Sequence, residues 1–380
     1  MADYLREKLL LKGDPFKVGA PDEPEIWASS EEIKEDLEKI MGNVLVSESS
    51  ILGIIWGELG TGKTYAANYF IHKGTENLMT RFKKEKILKK DFQVLSFPRV
   101  VTAIGGRRDV QFLDKIMETI GLSLRKNTKA SQIFAKAFEE RNTDEYTRSI
   151  IQNLSMSFEI QNMLESKIKP DQFFKGISEQ RLPGETEVDL TRLPYILDVF
   201  TFTMKMLTHP TYGFDRVFLW IDEVERFEDM PFVERTINNS FFRDCVDRIQ
   251  VKLTMFLCIT TARPDRGDLG AFLYKPVMDR VAYFYQMKLL NNESVAKQYV
   301  SKLLDAFRVK GADVSPFYPF TEKCVEQILR HGKDKFEALP PRSINIEFEK
   351  ALASLRRAQF EVSPEKPIEF NTLKKILTPT

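Results

Sequence analysis

Cysteine and histidine are scarce in this chain, with three of each among 380 residues. Cys245, Cys258 and Cys324 lie far apart and form no C-x-x-C spacing. That argues against a disulfide framework and a cysteine-based zinc site, and it fits a reducing compartment. His72, His209 and His331 are equally scattered and suggest no metal cluster. Long apolar runs are missing too, since none approaches the roughly 20 residues that span a bilayer. The N-terminus, Met1-Ala2-Asp3-Tyr4-Leu5-Arg6-Glu7-Lys8, carries charge where a secretion signal needs an apolar core. A soluble, cytoplasmic protein without membrane contact is the expectation. An excess of charge of one sign is also lacking. With a net charge of +1 the whole molecule is no polybasic nucleic-acid binder, so any such binding must come from a local patch.

What is present is ordinary globular material, 43% hydrophobic and 29% charged. The length suggests two or three domains. No internal repeat or low-complexity block interrupts it. The one stretch that organises the rest is Gly57-Glu58-Leu59-Gly60-Thr61-Gly62-Lys63-Thr64, a G-x-x-x-x-G-K-[ST] pattern. It follows the apolar run Ile51 to Trp56, which reads as a strand, and precedes Tyr65 to Ile71, which reads as a helix. Strand, glycine-rich turn and helix are the context this pattern needs to be a P-loop. Its glycines let successive backbone N–H groups point at a phosphate chain, and the helix start adds positive dipole. Gly57 to Tyr65 are thus the candidate nucleotide-binding residues. Lys63 would reach the β- and γ-phosphates of ATP, and Thr64 would offer its hydroxyl to Mg²⁺.

Further along, Val217-Phe218-Leu219-Trp220-Ile221 ends in Asp222-Glu223. An apolar strand ending in two carboxylates is what a central parallel strand delivers to its C-terminal edge, beside a P-loop. Asp222 would hold Mg²⁺, directly or through water, and Glu223 would orient or deprotonate the attacking water. Two more strands are expected at Phe92 to Phe97 and Leu253 to Ile259, and a last one at Val281 to Met287. The strand from Leu253 ends in Thr260-Thr261-Ala262-Arg263-Pro264-Asp265. Its polar end would touch the γ-phosphate or the lytic water, with Thr261 as first choice and Thr260 as second. The expected fold is α/β, a P-loop NTPase parallel sheet sandwiched by helices.

The remainder divides around that sheet. Residues 1–50 form a lead-in with an adenine-side helix, and 51–292 form the ATPase domain. A mostly helical insertion occupies about 128–192. Residues 293–358 form a helical lid, and 359–380 a tail too short to fold alone. Two basic stretches admit either a solvated surface or a phosphate contact. One is Arg81 to Lys90. The other is the glycine-hinged Thr102-Ala103-Ile104-Gly105-Gly106-Arg107-Arg108, which together with Arg99 marks the candidate nucleic-acid residues.

In this order of elements the chain resembles the AAA+ ATPases. The ending Pro341-Arg342-Ser343-Ile344-Asn345 is similar to the sensor-2 helix start of the origin-recognition-initiator-like group. That resemblance implies that Arg342 reaches from the lid to the γ-phosphate and that Thr261 is sensor 1. It also implies that Arg280 is an arginine finger given to a neighbouring subunit, with Arg263 and Arg266 as alternatives. A finger in trans makes hydrolysis depend on assembly. Thr261-Ala262-Arg263-Pro264-Asp265 departs from the T-N-R-P-D of many relatives, since alanine replaces their sensor asparagine. The stretch 359–380 leaves no room for the winged-helix domain of replication initiators, which disfavours that role. The chain is also similar to the ATPase regulators of Tn7-type transposons and to AAA+ ATPases of prokaryotic defence systems. Two functions are therefore expected to compete. One is an ATP-dependent homo-oligomeric switch, ring or filament, on duplex DNA. The other is a defence-type signalling or scaffold ATPase whose insertion docks a protein partner without DNA.

Overall fold

The computed structural model describes residues 2–377 except 103–110, 154–163, 165–167, 183–187, 190–192, 262–265, 291 and 337–338. The strands are β1 (Ile51–Gly57), β2 (Val94–Ser96), β3 (Val100–Val101), β4 (Arg181–Leu182), β5 (Val188–Asp189), β6 (Arg216–Asp222), β7 (Leu253–Thr260) and β8 (Val281–Gln286). Six of them form one sheet in the order β2-β6-β7-β1-β8, with β3 also on β6. β2, β3 and β7 all run parallel to β6. Every strand expected from the sequence forms, and the fold is the expected α/β arrangement of a parallel sheet flanked by helices. β1 and β6 are buried along their whole length and β7 is buried up to Thr260. This is why they read as unbroken apolar runs rather than as alternating ones.

The chain forms two compact units. One comprises residues 39–56 and 75–285, the other 1–38, 57–74 and 286–380. The first holds the sheet. Its strands are locked by facing aromatic rings, with Trp220 stacked 4.5 Å from Phe256 across the β6–β7 pair. At the N-terminal end of β6 stands a fully buried arginine, Arg216. Its guanidinium donates to the Ser49 carbonyl at 3.1 Å and to Thr254 Oγ1 at 3.0 Å, and also to the Ser47 carbonyl. Burial pushes its pKa down to about 10, yet the bonds keep the charge tolerable. The effect is to tie the entry of β1 to the entries of β6 and β7.

The insertion packs into this same core. Its helices Thr128–Glu140, Glu145–Gln152 and Pro170–Glu179 precede the helix Leu193–Leu207. Phe134, Phe138, Phe173, Phe174 and Phe202 form one interlocked cluster, with centroids 4.9 to 6.2 Å apart. The sequence-based reading of this stretch as mostly helical omits the short antiparallel hairpin of β4 and β5. Two-residue strands carry too little pattern to be read from sequence.

The second unit gathers the lead-in, the helix after the P-loop and the lid helices Glu293–Ala306, Glu322–Phe336 and Pro341–Arg357. The tail, too short to fold alone, is bound to them. Ile368 donates to the Pro319 carbonyl at 2.8 Å and accepts from the Thr321 N–H at 2.9 Å, and the helix Phe370–Leu377 buries Leu373. Among the described residues, no helix is long and apolar enough to cross a membrane.

Candidate nucleotide-binding site

The P-loop lies in the unit that also holds the lid. At Gly57 a β-carbon would stand 2.6 Å from the Met287 carbonyl oxygen, so only glycine fits. Gly60 and Gly62 have φ of +81° and +101°, the left-handed region that side chains resist. Thr61 closes the turn, its N–H and hydroxyl both bonding to the Glu58 carbonyl at 3.4 and 2.9 Å. Leu59 projects into solvent at the tip.

The turn opens directly into the helix Lys63–Tyr69, whose N-cap, Gly62, supplies no side-chain bond. Lys63 is only 5% exposed. Its Nζ donates to the Gly57 carbonyl at 2.9 Å and the Glu58 carbonyl at 2.8 Å, with Thr61 Oγ1 at 3.4 Å. The ammonium therefore sits inside the turn, held by the turn's own oxygens. Thr64 is half-buried beside it. Tyr65 turns its hydroxyl to the Ile26 carbonyl, and burial raises its pKa to about 12. Its side chain thus serves the lead-in, where Trp27 meets Tyr65, Tyr69 and Phe70. Asn68 adds a bond to the Pro21 carbonyl at 2.8 Å. The lead-in is fastened to the helix that leaves the P-loop.

The start of the lid helix Pro341–Arg357 stands against the same turn. A β-carbon on Gly60 would be 2.9 Å from Arg342 Cβ and 3.5 Å from Pro340 Cβ. Pro341 at the first helical position fixes the entry angle there. Arg342 keeps its stem against the turn while the side chain remains exposed.

The second set of groups is built at the C-terminal end of β6, in the sheet unit. Asp222 is buried. Its Oδ2 lies 2.9 Å from Arg99 Nη1, and its Oδ1 accepts from the Glu223 N–H at 2.9 Å. Thr102 fastens the strand following β2 to this point, through its N–H and hydroxyl to the Asp222 carbonyl at 3.0 and 2.9 Å. Glu223 has φ of +61°, a left-handed conformation in a non-glycine residue. Such strain persists only where its surroundings enforce it, and it concentrates at working sites. Its Oε2 pairs with Arg226 Nη2 at 2.6 Å. Glu225 accepts from the Thr260 N–H at 2.8 Å, tying the end of β7 to this turn, and Thr261 follows, buried.

Glu225 and Arg226 were not singled out in the sequence, and Thr102 was named only as the start of the glycine-hinged stretch. Arg226, one helical turn after Glu223, was visible in the spacing. Arg99, expected on nucleic acid, is placed on Asp222. Arg280, expected to serve a neighbour, makes a two-pronged pair with Asp247 of its own chain at 2.6 Å for each bond. Hydrogen bonding from Arg280 lowers the Asp247 pKa, and the same bond raises that of Arg280. Arg107, Arg108 and Arg263 lie outside the described residues, and Arg266 opens a short 3₁₀ turn, Arg266–Ala271.

No protein-family model matches this chain, and no curated protein sequence does either. Solved structures do. The chain is similar to the ORC2 protein of Aeropyrum pernix in its ADP form, with 14% identity and a TM-score of 0.54 over 97% of this chain and 73% of that one. The same protein as ADPNP–ADP complexes gives 13% identity and 0.52, over 96% and 70%. The ORC1 protein of the same organism, solved in complex with DNA, gives 10% identity and 0.50, over 93% of this chain. The chain spans 65% of the length of that ORC1 chain. At such identities the likeness concerns the fold alone, which this chain shares with these ORC proteins.

Proposed function

We propose that this chain, built on an AAA+ fold, binds ATP, hydrolyses it, and uses the nucleotide to switch the assembly of its copies on duplex DNA. The observation that carries this reading is the P-loop turn. Its glycines are held where no side chain fits, its lysine ammonium is buried inside it, and an exposed arginine of the lid stands against it. A phosphate chain suits that cradle, because it offers Lys63 oxygens of full charge in place of neutral carbonyls. Arg342 would extend from its anchored stem to the terminal phosphate.

Asp222 and Thr64 would hold magnesium, which would neutralise phosphate charge and take its remaining ligands from phosphate and water. Asp222 has to leave Arg99 to do so. Glu223, held by its unusual backbone and by Arg226, would orient the attacking water. Thr261 would stand at the γ-phosphate. Arg280 would leave Asp247 for the nucleotide of a neighbouring copy, which couples turnover to assembly. DNA contact would come from Arg107 and Arg108, in keeping with the DNA complex of the similar ORC1 protein.

In the defence-type alternative the insertion would dock a partner. Its described apolar side chains are turned into the core, and none is among the exposed large hydrophobic residues.

Two variants test the chemistry. Lys63→Ala should lose ATP binding in calorimetry. Glu223→Gln should bind ATP like the parent yet hydrolyse it at least 100-fold more slowly. Parental turnover by Glu223→Gln would remove Glu223 from its role, and parental ATP affinity in Lys63→Ala would remove the P-loop reading.

A further inference from the structure

The sheet unit carries a second basic surface, at the end opposite Asp222. It follows the helix Thr75–Lys84 and runs to the entry of β2. Within residues 81–91 stand Arg81, Lys83, Lys84, Lys86, Lys89 and Lys90, against two carboxylates, Glu85 and Asp91. The whole chain has a net charge of only +1, so this one segment is more positive than the molecule. Among the described residues, no ion pair holds Lys83, Lys84, Lys86, Lys89 or Lys90. Of the two acids of the segment, Glu85 lies between Lys84 and Lys86 and is exposed, and Asp91 acts on Lys129.

The lysines are set on an ordered scaffold. The helix ends in a Schellman turn, with Ile87 N–H on the Phe82 carbonyl at 2.9 Å and Lys86 N–H on the Lys83 carbonyl at 3.3 Å. The left-handed position of that turn, φ +60°, is held by Lys86 where glycine is cheaper. Lysines near a helix C-terminus can be explained by the dipole alone. Lys86, Lys89 and Lys90 lie beyond the helix, and that explanation does not reach them.

The apolar residues of the segment decide what it can bind. Phe82 packs on the helix Glu31–Val46, where its ring would lie 2.9 Å from a β-carbon on Gly42. Leu88 and Phe92 are buried, leaving Ile87 as the one large apolar side chain exposed. The half-buried Phe82 ring is already faced by the Arg81 guanidinium, 5.6 Å from its centroid, which leaves little aromatic surface for stacking single-stranded bases, and one exposed isoleucine is too little to enter a bilayer. What remains is a cluster of lysine point charges, the chemistry that binds the phosphates of a duplex backbone.

We infer that residues 83–90 form a second, sequence-independent anchor for duplex nucleic acid, one that needs neither ATP nor the loop at 103–110. Val94 pairs with Arg216 at the start of β6, and Asp222 ends that strand six residues later. The entry of β2, to which this segment leads, is therefore about 20 Å along the sheet from Asp222. It can hold a duplex whatever state the nucleotide is in.

The test is fluorescence anisotropy with a short labelled duplex of arbitrary sequence, without nucleotide, from about 50 to 200 mM salt. Five phosphate contacts predict that affinity falls about 500-fold across that range. Lys83→Gln, Lys84→Gln, Lys86→Gln, Lys89→Gln and Lys90→Gln combined should abolish most of that slope and weaken low-salt binding at least 100-fold. The same loss should appear when the five changes are made in Lys63→Ala, which separates this anchor from the nucleotide-gated contact. Lys86→Gly guards against misfolding, because it removes a charge while easing the left-handed turn. Its melting temperature should hold or rise while its affinity falls. An unchanged salt slope in the five-fold variant overturns the proposal. So does duplex binding by the parent that appears only with ATP. So does a parent that ignores duplex but binds vesicles of phosphatidylserine and phosphatidylcholine through these lysines, which would make the partner a membrane.

Discussion

The meeting of the P-loop turn with the lid can be put to a double-mutant test. Alanine at Gly60 suffers twice. At φ +81° a β-carbon costs about 1–2 kcal/mol against the left-handed backbone. That same carbon stands 2.9 Å from Arg342 Cβ, an atom fixed to the helix backbone, so the helix start has to shift. Crowding of this kind costs about 1–3 kcal/mol. In an Arg342→Gly background the second cost vanishes, because the neighbour at Pro340 Cβ lies at an ordinary 3.5 Å. The strain and the reduced freedom of the unfolded chain are common to both backgrounds and cancel. The coupling should then be about 1–3 kcal/mol, read in urea unfolding of the nucleotide-free proteins. Gly62→Ala, whose β-carbon would meet only Met287 Cε at 3.7 Å, should show no coupling to Arg342→Gly. If Gly60→Ala costs the same in both backgrounds, the lid helix does not rest on the turn, and the placement of Arg342 fails with it.

Other outcomes follow from neighbouring contacts. Lys63→Ala leaves the Gly57 and Glu58 carbonyls without their ammonium donor, so it should lower the stability of nucleotide-free protein by about 1–3 kcal/mol in addition to abolishing ATP binding. An unchanged melting temperature would show those bonds to be inert. Arg99→Ala removes the cation from buried Asp222 and should lower the melting temperature without nucleotide, while Arg99→Lys restores part of it; equal melting of all three proteins would contradict the pairing. Asp247→Asn removes the ionic partner of Arg280, whose Nη1 still donates to the Pro276 carbonyl at 2.5 Å, and should raise ATP turnover at a given protein concentration, whereas turnover at the parental rate would argue against a role in trans. Asp144 caps the helix Glu145–Gln152 through the Thr147 N–H at 2.6 Å and bonds His209. Burial raises its pKa, but the Thr147 and His209 hydrogen bonds outweigh that and lower it. A carboxylate lowered on folding stabilises fully above its unfolded pKa of about 3.9 and loses that contribution as pH falls through the folded value. Asp144→Asn keeps a cap oxygen and loses only the charge, so it should cost about 0.3–1 kcal/mol at neutral pH, with the difference from the parent vanishing in acid; a constant difference down to acid pH would show that the charge is irrelevant.

What the sequence discloses here is what local spacing controls. The glycines of the P-loop must recur at fixed intervals because one turn needs three special backbone positions. β6 reads as a strand because both its faces are covered. Pro341-Arg342 opens a helix because proline suits the first position. Roles set by register across the sheet are a different matter. Arg99 reads as a phosphate ligand beside Arg107 and Arg108. The parallel pairing of Val101 with Asp222 instead delivers Arg99 to that carboxylate. Arg216 reads as an ordinary charged residue before an apolar strand, yet the strand on either side of it buries the guanidinium completely. Arg280 is legible as a free cation only until Asp247, on the helix Phe232–Arg248, comes alongside. In all three cases a full charge finds its hydrogen-bond partners through tertiary pairing, carboxylates for Arg99 and Arg280 and neutral oxygens for Arg216. On the reading proposed above, the contacts of Arg99 and Arg280 are also the ones a bound triphosphate or a neighbouring copy would have to compete with, whereas those of Arg216, at the other end of β6, are not. Arg99 and Arg280 are hard to read from sequence because the partners that hold them in the fold are not the ones their local spacing suggests.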